Sequence, residues 1–165
     1  MSCMGELTII GLSEYGLAAA PGVLLTYGLG SCIGIALYDP ELRRGSLAHT
    51  LLPTAHDVAA IAVKTAKFTD LAIDIMVEEL VKSGCAKERL VAKLAGGASM
   101  FDTEYRSFRG NIGQRNVDSA RKSLAGHGIP LLAEDTGGDY GRTVEFHASS
   151  GLMIIKSIQK PNKTI

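Results

Sequence analysis

No lysine or arginine precedes Arg43 in this chain of 165 residues, although Glu6, Glu14, Asp39 and Glu41 already stand in that stretch. A secretory leader needs a positive start and an unbroken apolar run, so Ala18-Ala19-Ala20, which resembles a cleavage site, lacks its context. Long hydrophobic runs are missing too: nothing approaches the roughly 18 consecutive apolar residues of a membrane span. Both absences point to a cytoplasmic protein without membrane insertion. Cysteine is scarce, and Cys3, Cys32 and Cys85 are widely spaced and odd in number, which fits reduced thiols better than a disulfide framework. No CxxC pair exists to suggest zinc or redox exchange. An excess of one charge is also lacking, since 17 basic residues balance 17 acidic ones. That removes the electrostatic case for a nucleic-acid or membrane-surface partner. Internal repeats, low-complexity tracts and linkers are absent, so residues 1–165 read as a single domain.

What is present is an ordinary globular composition, 46% hydrophobic and 21% charged, which argues against disorder. Leu7 to Leu12 is a candidate opening strand, followed by a link rich in glycine and alanine, and Val23 to Thr26 reads as another strand. After Thr54-Ala55-His56-Asp57 comes a long alanine-rich helical pattern, clearest in its second half. There Thr69 is a candidate N-cap, and Ile73, Met76, Val77 and Leu80 form one apolar stripe with Asp74, Glu78 and Lys82 facing away. Gly84 stops it. Leu90 to Ala95 reads as a strand, Ala98 to Gly113 as a surface loop, Gln114 to Ala125 as a helix and Ile129 to Glu134 as a strand. Two further strands, Thr143 to Ala148 and Leu152 to Ile158, precede a polar tail expected to fray. About eight strands in two clusters with helices between them predict an α+β fold, a mixed α/β sandwich, rather than regular βαβ alternation. The pattern does not choose between one mixed sheet and two packed ones.

Chemistry concentrates between Thr26 and Pro53. Cys32 follows the turn Tyr27-Gly28-Leu29-Gly30-Ser31 and leads into Ile33 to Tyr38, a run of β-formers ended by Asp39-Pro40. Asp39 to Gly45 supplies residues for a hairpin reversal, and the returning strand, Ser46 to Leu52, carries His49. Antiparallel pairing in a suitable register would bring Cys32 and His49 together, the geometry a thiol nucleophile needs. Two other readings of the turn are weaker. A dinucleotide fingerprint fails because its third glycine would be Ile33 and a strand follows where a helix is required. Zinc could be taken by Cys32, His49, His56 and Asp57, but no pair among them has a usual spacing. Without further information Cys32 reads equally well as a buried small hydrophobe, His49 as a satisfied core histidine, and Thr26 as a plain strand residue.

The whole chain resembles the CheD family of chemoreceptor glutamine deamidases. The likeness rests on Thr26, Gly30-Ser31-Cys32 and His49-Thr50-Leu51-Leu52-Pro53 in order. It extends to Lys93 through Phe101 with its Gly96-Gly97-Ala98, to Ile112-Gly113-Gln114-Arg115-Asn116, and to Ala133 through Gly138 and Gly141 through Phe146. One departure is a single Gly45 where the family often has paired glycines. The resemblance implies a β-strand core flanked by helices, similar to cysteine hydrolases of the cytotoxic necrotizing toxin type. It implies a catalytic set of Cys32, His49 and Thr26 that hydrolyses glutamine side-chain amides of methyl-accepting chemoreceptors to glutamate and ammonia, without metal or organic cofactor. Backbone at Gly30 and Ser31 is the candidate oxyanion or substrate contact. The resemblance also implies a CheC-type phosphatase partner, for which Phe101 and Phe108 in the aromatic-rich loop are candidate contacts. A non-catalytic protein that binds and regulates such a phosphatase is the alternative.

Overall fold

The computed structural model describes residues 5–55, 65–100 and 111–165. Among them are ten strands and two α-helices: β1 Leu7–Ile9, β2 Tyr15–Ala19, β3 Val23–Leu29, β4 Ile33–Asp39, β5 Arg44–Thr50, α1 Thr69–Lys82, β6 Val91–Gly96, α2 Ile112–Gly126, β7 Leu131–Thr136, β8 Arg142–His147, β9 Leu152–Lys156 and β10 Lys163–Thr164. The strands form two sheets, ordered β1-β3-β8-β9-β10 and β2-β5-β4-β6-β7. This is the α+β class, and it answers the question that pattern left open. The first half of the alanine-rich helical pattern lies outside the described residues.

Three layers follow from how β4 alternates. All seven of its residues are buried, as expected of a strand covered on both faces. Ile33, Ile35 and Leu37 point to one side, where Ile73, Met76 and Leu80 of α1 and Val117, Ala120 and Leu124 of α2 cover them. Ala36 and Tyr38 point to the other, where they meet Leu24, Val144, Phe146 and Met153 of the first sheet. Among the described residues, helices therefore cover only the second sheet. No described helix lies on the outer face of the first, and Leu7 and Ile9 on its edge strand are 57% and 60% exposed.

The hairpin β4–β5 is antiparallel, with Ile33 opposite Thr50, Gly34 opposite His49 and Asp39 opposite Arg44. Its turn is built on Asp39, whose Oδ1 accepts the N–H groups of Glu41 and Leu42 at 3.0 and 3.2 Å. Arg89 grips the same carboxylate through Nε and Nη2, the latter donating to Oδ2 at 2.7 Å. The guanidinium, helped by the two turn N–H groups and opposed by burial, holds the Asp39 carboxyl at about 2 against an ordinary 3.8. A carboxyl lowered in the folded state stabilises it fully above its unfolded value and ceases to do so as pH falls through the folded one. That difference amounts to about 2 kcal/mol. Wild-type protein should therefore lose urea resistance between pH 4 and pH 2, whereas Asp39→Ala, less stable at neutral pH, should show a flatter response over that window. Urea midpoints measured across the range check it.

Candidate active site

Thr26 lies in β3, just before a register shift between Thr26 and Leu29 in its pairing with β8. Gly28, at φ 71°, allows that irregularity. The Thr26 side chain is fully buried and faces the second sheet. Its Oγ1 is 2.7 Å from Ile10 O and 2.8 Å from His49 Nδ1. A hydroxyl has one proton to give. Ile10 O can only accept, so the Thr26 hydroxyl donates to it, and His49 Nδ1 must then carry a hydrogen and donate to Thr26 Oγ1. The tautomer is thereby fixed, and Nε2 is left with a lone pair.

His49 Nε2 is buried and, among the described residues, has no hydrogen-bond partner. A satisfied core histidine would not leave a ring nitrogen in that state. The ring is set by its surroundings. His49 N–H donates to Glu14 O at 3.0 Å and His49 O accepts from Ser13 N–H at 2.9 Å, with Gly34 directly opposite in the hairpin. Burial pushes the His49 imidazole below its ordinary value, so it is neutral and basic near pH 7.

Cys32 stands two residues before Gly34, and side chains two apart share a face. It lies in the bend that leads into β4 and lines the layer between the sheets with Ala36 and Tyr38, the layer in which Thr26 meets His49. Cys32 is 9% exposed and belongs to the apolar layer between the sheets with Leu29, Ala36 and Ala95. Burial pushes its thiol up, while its own N–H, lying against Sγ, pulls the other way. The pair accordingly rests as thiol and neutral imidazole.

The backbone around Cys32 is held by segments distant in sequence. Gly30 donates to Gly28 O at 3.1 Å and accepts from Ala98 N–H at 2.9 Å, while Cys32 O accepts from Gly97 N–H at 2.8 Å. Gly96 has φ 112°, and a Cβ there would fall on Cys32 O. Gly137 N–H reaches Gly96 O, and Ser99 N–H reaches Gly138 O. Arg142, almost fully buried, binds Asp135 and Tyr140 at 3.0 Å each. The Gly137-Gly138 and Arg142 motifs thus brace the Gly96 to Ser99 segment. Among the described residues, no acceptor takes the N–H of Ser31.

Sequence reasoning placed Asn116 at a helix start and gave it no part in the site. It sits inside α2, fully buried, with Nδ2 donating to Ser31 O at 2.9 Å and to Leu51 O at 3.1 Å. The Ile112-Gly113-Gln114-Arg115-Asn116 motif was the available signal. Met100, 47% exposed, lays its side chain over Gly30, where an added Cβ would meet Met100 Cγ at 3.2 Å. Phe101, Phe108, His56, Asp57 and Cys3 lie outside the described residues. His147 is away from Cys32, on the outer face of the first sheet beside Glu145. Among the described residues, no group of three or more His, Cys, Asp or Glu is placed to hold a metal, and no helix is long and apolar enough to cross a membrane.

The family model described as CheD chemotactic sensory transduction matches residues 51–157. A protein of Geobacter metallireducens named "Probable chemoreceptor glutamine deamidase CheD 2" is 58% identical over 98% of this chain and 100% of its own length. The chain belongs to the CheD family. A second relative, from Geobacter sulfurreducens and named "Probable chemoreceptor glutamine deamidase CheD 3", is 52% identical over 97% of this chain and 99% of its own. The "Chemoreceptor glutamine deamidase CheD" of Thermotoga maritima is 43% identical over 91% of each. The CheD model begins just past His49, whereas the first of these relatives aligns over nearly the whole chain.

Proposed function

We propose that this CheD-family chain is a chemoreceptor glutamine deamidase with Cys32 as nucleophile, His49 as proton carrier and Thr26 as the residue that orients His49. The observation that carries the reading is the imidazole itself: Thr26 occupies Nδ1–H, so Nε2, unpartnered among the described residues, is the basic nitrogen, and Cys32 lines the same layer between the sheets.

His49 Nε2 removes the Cys32 proton, and Sγ adds to the side-chain amide carbon of a receptor glutamine. The carbonyl electron pair moves onto oxygen, giving a tetrahedral oxyanion. N–H groups of Ser31 and Cys32 are the donors for it, because the Gly30 N–H is spent on Gly28 O. As the C–N bond breaks, the imidazolium returns its proton to nitrogen and ammonia leaves. Water then gives a proton to Nε2 and adds to the thioester. Collapse of that second intermediate releases glutamate, and the proton returns to sulfur. A neutral resting pair suits this sequence, since the charge pair forms only when substrate is present to use it.

A cytoplasmic location and methyl-accepting chemoreceptors as substrates complete the reading. Incubation with receptor cytoplasmic domains, followed by peptide mass spectrometry, should find amide-to-acid conversion at particular glutamines and leave others untouched. Absence of conversion by intact protein would refute the assignment. A CheC-type phosphatase partner is a further part of this proposal, favoured by the exposed Met100 thioether at the edge of the nucleophile turn.

A further inference from the structure

Three consecutive carbonyls around the nucleophile are each held from behind. Gly30 O takes the Ala98 N–H at 2.9 Å and Cys32 O takes the Gly97 N–H at 2.8 Å. Between them, Ser31 O takes Asn116 Nδ2 at 2.9 Å. Two of these donors are backbone, and the middle one is a side chain. A trans peptide carries its C=O and N–H on opposite sides of one rigid plane, and the cis bond among the described residues is elsewhere, at Ala20–Pro21. Whatever grips Ser31 O therefore aims the N–H of Cys32. That N–H lies against its own Sγ and meets no other acceptor among the described residues.

Asn116 is fully buried, and its other Nδ2 hydrogen goes to Leu51 O at 3.1 Å, two residues beyond His49. One carboxamide thus ties the nucleophile turn to the strand of the base. Its Oδ1 has no partner among the described residues, so donation alone fixes its orientation; flipped, Oδ1 would face two carbonyls. The helix comes this close because Gly113 lacks a side chain, for a Cβ there would overlap the carbonyls of Gly97 and Ala98.

We propose that Asn116 is a positioning residue that clamps the Ser31–Cys32 peptide and aims the Cys32 N–H at the oxyanion of the deamidation. This role rests on the reaction proposed above. Donation to Ser31 O also polarises the N–H at the far end of the same peptide, strengthening it as the negative charge develops.

The test compares two reactions of one thiol in wild type, Cys32→Ala, Asn116→Ala and Asn116→Ser. Deamidation passes through a tetrahedral oxyanion. Alkylation by iodoacetamide does not, because the thiolate displaces iodide at a methylene carbon as the S–C bond forms. Outright removal of an oxyanion donor costs about a hundred- to a thousandfold, so Asn116→Ala, which leaves the N–H present but unaimed, should lower kcat about ten- to a hundredfold with KM near wild type and alkylation within about twofold. Asn116→Ser keeps one short donor and should fall between. Wild-type deamidation by Asn116→Ala overturns the role. So does a loss of alkylation that matches the loss of deamidation, because Asn116 would then merely hold the thiol in place. Should Asn116→Ala fail to fold by circular dichroism, Asn116→Ser is judged by the same two criteria. An inert wild type refutes the deamidase assignment itself, a Cys32→Ala protein as active as wild type removes the thiol from the mechanism, and either takes this role with it.

Discussion

Replacing Cys32 with alanine should abolish glutamine deamidation and leave the fold in place. The side chain sits in the apolar layer with Leu29, Ala36 and Ala95, where a methyl group is at home, and deletion of the sulfur costs about 1 kcal/mol of packing. Among the described residues the other cysteine is Cys85, which belongs to the opposite layer beneath the helices. Mass spectrometry of receptor peptides should detect no conversion, while the thermal midpoint drops only a few degrees. Turnover by Cys32→Ala at a measurable fraction of wild type would remove the thiol from the mechanism.

His49→Ala should come close to that effect, and changes at Thr26 should fall short of it. Loss of a general base costs about a hundred- to ten-thousandfold, and in the proposed mechanism His49 serves both the nucleophile and the leaving group. Thr26→Ala removes no reacting atom. It strips the acceptor from His49 Nδ1–H and the donor from Ile10 O, so the ring loses its tautomer preference. A loss of about ten- to a hundredfold is expected, with partial recovery in Thr26→Ser, which keeps the hydroxyl. The pH profile adds a separate check. Burial lowers the imidazole and raises the thiol, so the neutral pair that begins the reaction spans a widened interval. kcat/KM should hold level below the ordinary imidazole value of 6.5 before it falls, and its limbs belong to the pair rather than to either residue. An acid limb above 6.5 would contradict a buried neutral base.

Local signals served where the contacts they encode are local. The hairpin carrying Cys32 and His49 was legible because its turn residues and its β-formers adjoin, and the helix with the Ile73, Met76, Val77 and Leu80 stripe because one buried face repeats along it. β2 was read as a link, since Tyr15–Ala19 carries glycine and alanines and becomes a strand only by pairing with β5. β10 was read as a frayed tail, yet Ile165 exchanges two hydrogen bonds with Met153, each at 2.9 Å. Thr69 looked like an N-cap, but Phe68 holds that position, and the Thr69 hydroxyl meets Thr50 at 2.7 Å instead. The division into two sheets depends on β3 meeting β8 from the far end of the chain, which no window of sequence contains. Within the site, residue types were legible through family resemblance. The tautomer lock was not, because it requires Ile10, Thr26 and His49 at one point.

The base and the hydroxyl that orients it are carried on different sheets. Each sheet alone holds an ordinary residue: a threonine whose hydroxyl bonds a carbonyl, or a histidine free to adopt either tautomer. A directed base comes into existence only when the two layers close on each other. In the proposed mechanism, a chain whose layers have parted has a thiol but no aimed imidazole, and competence to modify other proteins requires the two layers of the sandwich to be docked.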